Sequence, residues 1–343
     1  MTSPHHKRTI GIGLLVSTVA LGYFISGIHI EELQEEFSKI RLLWVGVAII
    51  ILVFEFWLRA WRWHLILGPA EVDIPVFKLF TAQVIGATCN TLLPLRAGEI
   101  AKPLVAQRYT KAPFLKLIAT TIMERVYDIM GMVFILMMML LMAHPDTSNS
   151  TNANLVYNLQ LYGGIFGIVA ALCMVIFFVL ASGNSTTRKI FERIVSIAPK
   201  PISNKLLEFF DVFVEGLASS TDRSSFWKAG LLSLWMWFNG SLAIYALFIA
   251  FDMPLPFGAA FFVSVAIALT VALPQAPGFA GVFHVAMEKT MLLWGQTEGP
   301  AEGFAIVFWA VSFLPVTIIG LLSLWREGLS LQSISSQESV QDM

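Results

Sequence analysis

Charge is what this chain has least of. Only 13% of its 343 residues are charged against 57% hydrophobic, and the mean hydropathy is +0.74. A water-soluble domain of that length needs a far more charged surface, so the composition excludes one and implies a polytopic membrane protein. Lys and Arg number 22 against 23 Asp and Glu, and the resulting net charge of −1 argues against a nucleic-acid binder. There are 2 cysteines, Cys89 and Cys173, both inside apolar runs, which leaves neither a disulfide framework nor thiolate metal spacing. His64, His144 and His284 are scattered, with no H-x-x-x-H pattern and no acidic companion. No Walker or dinucleotide pattern accompanies Gly11, Gly13 or the glycines of "YGGIFG", so these suit close helix contacts rather than nucleotide binding. No cofactor or metal is expected, and no ATP hydrolysis.

What the chain has instead is apolar runs. They cover Ile10–Ile30, Leu42–Leu58, Val76–Leu93, Val126–Ala143, Leu161–Ala181, Trp227–Ala250, Leu255–Leu273 and Gly303–Trp325. Most approach the ~20 residues needed to cross a bilayer core. The first follows "MTSPHHKR" and superficially resembles a signal peptide, but it is longer than a signal core and no small-residue cleavage site follows, so it is expected to remain as a span. Glu99–Arg125 and Gly281–Trp294 are too polar or too short for confident spans. Residues 182–226 carry "KIFERIV" and "KLLEFFDVF", patterns of short amphipathic helices lying on a surface. Residues 327–343 are polar and are expected to be a disordered tail; no soluble catalytic domain is expected.

Positive charge orients these runs. With the N-terminus in the cytoplasm, Lys7, Arg8, Arg59, Arg62, Arg326 and the basic segment 182–226 all fall inside. The outside loops then hold only Lys39 and Arg41, and "HPDTSNSTNAN" holds no Lys or Arg. In that arrangement Val76–Arg125 must begin and end on the cytoplasmic face, whereas Leu255–Trp294 enters from outside and returns there. Each half, about 1–143 and about 161–326, reads as two spans, a hairpin and one span, in opposite orientations. "LPLRAG" (Leu93–Gly98) has a counterpart in "LPQAPG" (Leu273–Gly278), with Leu, Pro and Gly in register. The expected fold is an all-α polytopic membrane protein. It has about six full spans plus two re-entrant or broken helical hairpins in an inverted repeat.

The interruptions have chemical potential. A helix broken at Pro and Gly exposes unpaired backbone groups, tolerated at membrane depth only when buried in protein or lining a wet cavity. After the first break come Arg96, Glu99 and Lys102; after the second, His284, Glu288 and Lys289. Arg96 has the planar fork to clamp a phosphate. The alternative is that Arg96 snorkels to the headgroups and Glu99 pairs with Lys102 or Arg96. "MERVYD" places Glu124, Arg125 and Asp128 at the start of an apolar run, with Glu124 and Asp128 on one helical face. Arg96, Glu99, Glu124, Arg125 and Asp128 are expected to form one polar network. Glu55 and Arg59 read as a helical pair near the cytoplasmic face, and "RAWRWH" as an interfacial belt.

Three blocks resemble a known family: Pro94, Arg96, Gly98 and Glu99; then Glu124, Arg125 and Asp128; then Pro274, Pro277, Gly278 and Gly281. In that order they look like the flippase-like membrane domain of lysylphosphatidylglycerol synthases, which also occurs alone and fused to polyprenyl-phosphate glycosyltransferases. The resemblance covers nearly the whole chain. It implies translocation of a phospholipid or polyprenyl-phosphate-linked lipid with an anionic headgroup across the cytoplasmic (inner) membrane, and no enzymatic activity. The aminoacyl-transfer domain is not expected here, so synthesis of lysyl-lipid is not expected either. Together with Lys102 and His284 from the reading of the breaks, the candidate substrate-binding residues are Arg96, Gly98, Glu99, Lys102, Glu124, Arg125, Asp128, Pro274, Gly278, Gly281 and His284. Two rivals stand beside this reading: an intramembrane lipid-modifying enzyme, and a scaffold presenting lipid to a glycosyltransferase or other lipid-modifying partner.

Overall fold

The computed structural model describes residues 18–27, 30–68, 74–93, 96–110, 112–142, 185–196, 223–272 and 277–331, with isolated positions between 161 and 172 and between 199 and 207. Among them every regular element is helical, as expected. They are α1 (Thr18–Gly27), α2 (Ile30–Lys39), α3 (Leu42–Leu67), α4 (Val76–Leu92), α5 (Gly98–Gln107), α6 (Phe114–Met142) and α7 (Ser185–Val195). After these come α8 (Arg223–Ala250), α9 (Phe257–Ala272), a 3-10 turn (Pro277–Phe279), α10 (Val282–Leu293) and α11 (Glu298–Arg326). Most of the predicted span Leu161–Ala181, most of 182–226 and residues 332–343 of the tail lie outside the described residues.

Helices α3, α6, α8 and α11 are long and apolar enough to cross a membrane. At 1.5 Å per residue, their 26 to 29 residues reach about 40 Å, beyond the ~30 Å of a hydrocarbon core. Between them sit two hairpins of shorter helices, α4 with α5 and α9 with α10, which pack pairwise. Helix α4 runs 17 residues and α5 only 10. Their packing depends on Gly98, where a Cβ would lie 1.8 Å from the Gly86 carbonyl oxygen. In the other hairpin Gly278 (φ 79°) and Gly281 (φ 85°) take the left-handed conformations that a glycine adopts without steric cost.

The hairpins enter the bundle from opposite ends. One end carries Arg41, whose N–H donates to the Ala250 carbonyl (2.9 Å) and whose Nη2 donates to Asp252 Oδ1 (2.7 Å). There α2 lies on α11, over Gly299 and Gly303. The apolar core at this end joins Phe248, Phe251, Phe283, Phe304 and Phe308 with Ile135 and Met139. The other end has its own core of Trp63, Ile66, Leu79, Ile85, Leu117 and Tyr127. Here Lys78 Nζ donates to Glu327 Oε1 (3.0 Å), and Arg108 Nη1 donates to the Glu327 carbonyl (3.2 Å), tying α4 and the end of α5 to α11.

Burial works against ionisation of Glu327, but Lys78, Tyr109 and Arg108 together outweigh it and hold its carboxyl below the usual range. A depressed folded-state pKa contributes stability above the unfolded value of ~4.3, and that stability is lost as pH falls through the folded value. The pair is partly exposed, so the contribution is about 1 kcal/mol or less. Detergent melts of Lys78→Met and wild type should therefore differ slightly at pH 7 and converge below about pH 4. A gap that persists in acid would assign it to packing of the lysine stem.

Several predicted bounds shift. Helix α3 continues nine residues past Leu58, carrying Arg59 and Arg62 inside the helix. Helix α6 begins at Phe114, not Val126, so Glu124, Arg125 and Asp128 lie more than two turns within it and not at its entry. The polar stretch Glu99–Arg125 divides between α5 and the start of α6. Arg62 of α3 and Glu124 and Asp128 of α6 are paired across the bundle, and Arg59 is paired to Glu55 within α3, which offsets the cost of keeping these charges there. Within the first predicted span α1 covers Thr18–Gly27, residues 10–17 lie outside the described residues, and the amphipathic α2 follows from Ile30.

Candidate functional site

Helix α3 carries Glu55, Arg59 and Arg62 at spacings of four and three, so all three face the same side. Helix α6 presents Glu124 and Asp128 at a spacing of four in return. Arg62 is 1% exposed, and its Nη1 donates to Asp128 Oδ1 (2.7 Å) and to Ser233 Oγ of α8 (2.9 Å). Its Nη2 lies 3.8 Å from Glu124 Oε1. Glu124 also accepts from Gln83 Nε2 of α4 (2.9 Å) and from Lys102 Nζ of α5. The Lys102 ammonium sits 4.1 Å over the Trp63 ring, whose Nε1 in turn donates to Thr120 Oγ1 (3.0 Å). This interior network thus joins α3, α4, α5, α6 and α8. The interfacial reading of Arg62 is corrected: it is a core residue, because two carboxylates from α6 compensate its charge.

The network reaches the surface at Arg125, which is about half exposed. Its Nη1 donates to Asp128 Oδ2 (3.0 Å), and its Nη2 to both Glu99 oxygens (2.8 and 3.0 Å). Of the five residues expected to join, Glu99, Glu124, Arg125 and Asp128 do so, together with Lys102. Arg96 does not. It occupies the tip of the α4–α5 hairpin with φ 57°, exposed, and its Nη2 donates to the Val271 carbonyl near the end of α9 (2.7 Å). A cation there meets one of the unpaired carbonyls at a helix C-terminus, where the helix dipole favours positive charge. Glu99 pairs with Arg125 instead of Lys102 or Arg96. Among the described residues Arg96 has no carboxylate partner.

The remaining predicted site residues have packing roles in this geometry. Gly98 permits the close approach of α4 and α5. The Gly278 carbonyl accepts from Trp309 Nε1 (2.7 Å), and Gly281 N–H points at His284 Nδ1 (3.4 Å). His284 is buried against the rings of Phe24, Phe283 and Trp309. Pro274 and Pro94 lie outside the described residues, but Arg96 and Val271 show that the two hairpin ends meet. No cluster of three His, Cys, Asp or Glu side chains among the described residues is placed to hold a metal ion.

Beside the network is a cavity of about 270 Å³ between α3, α8, α9 and α11. Its walls include Leu52, Ile244, Ile267, Phe308 and Phe313, and also Val271, the acceptor of Arg96. Glu55 and Arg59 line it too: Glu55 Oε1 accepts from Arg59 Nη2 (2.5 Å) and Nε (3.1 Å). Glu55 is 13 residues along a 26-residue helix, or about 20 Å from either end. Glu55 therefore sits at the middle of α3, with Arg59 one turn nearer its C-terminal end. Arg59 is within electrostatic reach of Asp128 and Glu99, so the cavity adjoins the network. A polar seam runs beside an apolar chamber halfway along the bundle, an arrangement able to hold an amphiphile's head and chain together.

The family described as lysylphosphatidylglycerol synthase TM region matches residues 10–320. A UPF0104 membrane protein of Methanothermobacter thermautotrophicus is 24% identical over 289 residues, 81% of each chain. A second, from Pyrococcus horikoshii, is 23% identical over 318 residues, 89% of this chain and 93% of that one. Glycosyltransferase AglD of Haloferax volcanii is 25% identical over 336 residues, 92% of this chain but 53% of that protein. No solved structure matches the chain.

Proposed function

Since the chain belongs to the lysylphosphatidylglycerol synthase TM-region family of membrane proteins, we propose that it translocates a phosphate-bearing lipid between membrane leaflets. The substrate is a phospholipid or a polyprenyl-phosphate-linked lipid, and the site performs no covalent step. The observation that carries this reading is Arg96, an exposed cation with no carboxylate partner among the described residues, tied to the wall of the central cavity. Its unused guanidinium donors suit a phosphate oxygen, and Arg is the residue that meets phosphate with a planar fork. The salt-bridged Arg125 and Glu99 continue the polar path, so a head moving along it never faces bare hydrocarbon.

On this reading the protein sits in the cytoplasmic (inner) membrane, and the bias of Lys and Arg supports both termini lying inside. The Glu327 end is then cytoplasmic and the hairpins are re-entrant, one from each face. The similarity to a glycosyltransferase raises a second reading, presentation of lipid to such an enzyme.

Transport is tested in vesicles holding the purified protein and an acyl-labelled fluorescent phospholipid. A membrane-impermeant reductant should bleach the inner-leaflet pool only when protein is present. Arg96→Ala should slow that loss about ten- to hundredfold, matching the ~1.5–3 kcal/mol of a charged hydrogen bond, while Arg96→Lys should fall between. A protected pool that stays intact with wild-type protein contradicts translocation. Normal transport by Arg96→Ala removes Arg96 from the site.

A further inference from the structure

We infer that the Glu55–Arg59 pair is a headgroup subsite for a zwitterionic phospholipid, one carrying an ammonium beside its phosphate. The inference rests on the translocation reading and narrows its substrate class.

Glu55 Oε1 takes both hydrogen bonds from Arg59, through Nε and Nη2. That leaves Glu55 Oε2 and Arg59 Nη1 without hydrogen-bond partners among the described residues, one open acceptor and one open donor at the cavity wall. Oε2 faces α8 at Gly240, where a Cβ would lie 3.6 Å from it and meet nothing else within 4 Å among the described residues. The absent side chain keeps the carboxylate oxygen accessible from the chamber. Neither residue is fully enclosed, with side chains 13% (Glu55) and 31% (Arg59) exposed.

A purely anionic head would gain Arg59 and be repelled by Glu55. A purely cationic head would meet the reverse. Only a head with both charges satisfies both open positions, with phosphate on Nη1 and ammonium on Oε2, at no net charge cost in a low-dielectric place. The apolar walls from Leu52, Ile267, Phe308 and Phe313 commit the rest of the ligand to acyl chain. A soluble zwitterion would leave those walls unfilled.

Purified protein in detergent is titrated with dioctanoyl phosphatidylethanolamine, dioctanoyl phosphatidylglycerol and water-soluble glycerophosphoethanolamine, with thermal stabilisation as the readout. Wild type should bind the ethanolamine lipid at least tenfold tighter than the glycerol lipid, and the soluble head should have no effect. Glu55→Gln keeps the shape and should reverse or abolish that preference. Gly240→Ala should weaken ethanolamine-lipid binding by placing a methyl against Oε2, without disturbing a helix that alanine favours. Equal binding of both lipids by wild type, an unchanged preference in both variants, or stabilisation by the soluble head alone would each overturn the subsite. Because the readout is binding, it is separate from transport. Vesicles that move the glycerol lipid but not the ethanolamine lipid would sink the subsite alone, whereas selective binding with no movement of any lipid would sink translocation alone.

Discussion

Replacing Arg62 with methionine is expected to destabilise the protein by about 3–5 kcal/mol, the cost of leaving buried charge uncompensated. Arg62 is 1% exposed and bonded to both Asp128 and Ser233, with Glu124 beside it, so its loss leaves two carboxylates short of positive charge inside the bundle. Asp128 keeps Arg125, and Glu124 keeps Lys102 and Gln83, which is why the loss stops short of the full burial penalty. Fluorescence-detected size-exclusion after heating should show a large fall in melting temperature or no folded peak. Arg62→Lys should be intermediate, since it restores charge without the fork that reaches two partners. A melting temperature within a degree or two of wild type would mean that water reaches the network and that the core placement of Arg62 is wrong.

The second large effect is expected at Gly98. An alanine there would set a methyl carbon 1.8 Å from the Gly86 carbonyl oxygen and 2.6 Å from Asn90 Oδ1. Backbone atoms have no rotamer to retreat into, so α4 and α5 must separate. Overpacking of this kind costs about 1–3 kcal/mol or more. The separation also draws Lys102 from Glu124, since Lys102 Cβ itself faces Gly86. Gly98→Ala should therefore lower the melting temperature by several degrees and reduce transport beyond what the stability loss explains. The matched control is Gly46→Ala in α3, where an added methyl meets nothing within 4 Å among the described residues. Equal behaviour of the two variants would show that the α4–α5 approach is looser than described.

The family's Gly98 and Arg96 were legible as members of one motif, yet their geometry separates them: Gly98 packs two helices, and Arg96 reaches the other hairpin. The breaks in the hairpins were also legible, because Gly98, Gly278 and Gly281 follow apolar runs in the sequence and stand at the turns between the shorter helices. Helix α4 accordingly departs from its predicted run by one residue, Leu92 for Leu93. Helices α3 and α6 were cut short for one shared reason. Hydropathy charges each ionised side chain singly, and Arg62, Glu124 and Asp128 are affordable only because they meet. Arg62 and Asp128 are 66 residues apart in sequence, and the Ser233 contact spans 171. A usable signal did exist. Glu55, Arg59 and Arg62 make one helical stripe, Glu124 and Asp128 another of mainly opposite charge, and the two were available to be matched. Gln83, Ser233 and Trp63 carried no such mark, since an amide, a hydroxyl and an indole in apolar runs look like ordinary helix residues until a charge is placed beside them.

The central claim, that a lipid lies in the chamber beside Glu55 and Arg59, is tested most directly by photo-crosslinking. A phospholipid with a diazirine midway along one chain is activated on the reconstituted protein, and labelled peptides are mapped with and without excess unlabelled lipid. Saturable, competed labelling should fall on the chamber walls around Ile267 of α9 and Phe308 of α11, and should fade when Gly240→Phe fills the space. Competed labelling confined to the outward aromatic face of Phe54, Trp57 and Trp61 would contradict the claim.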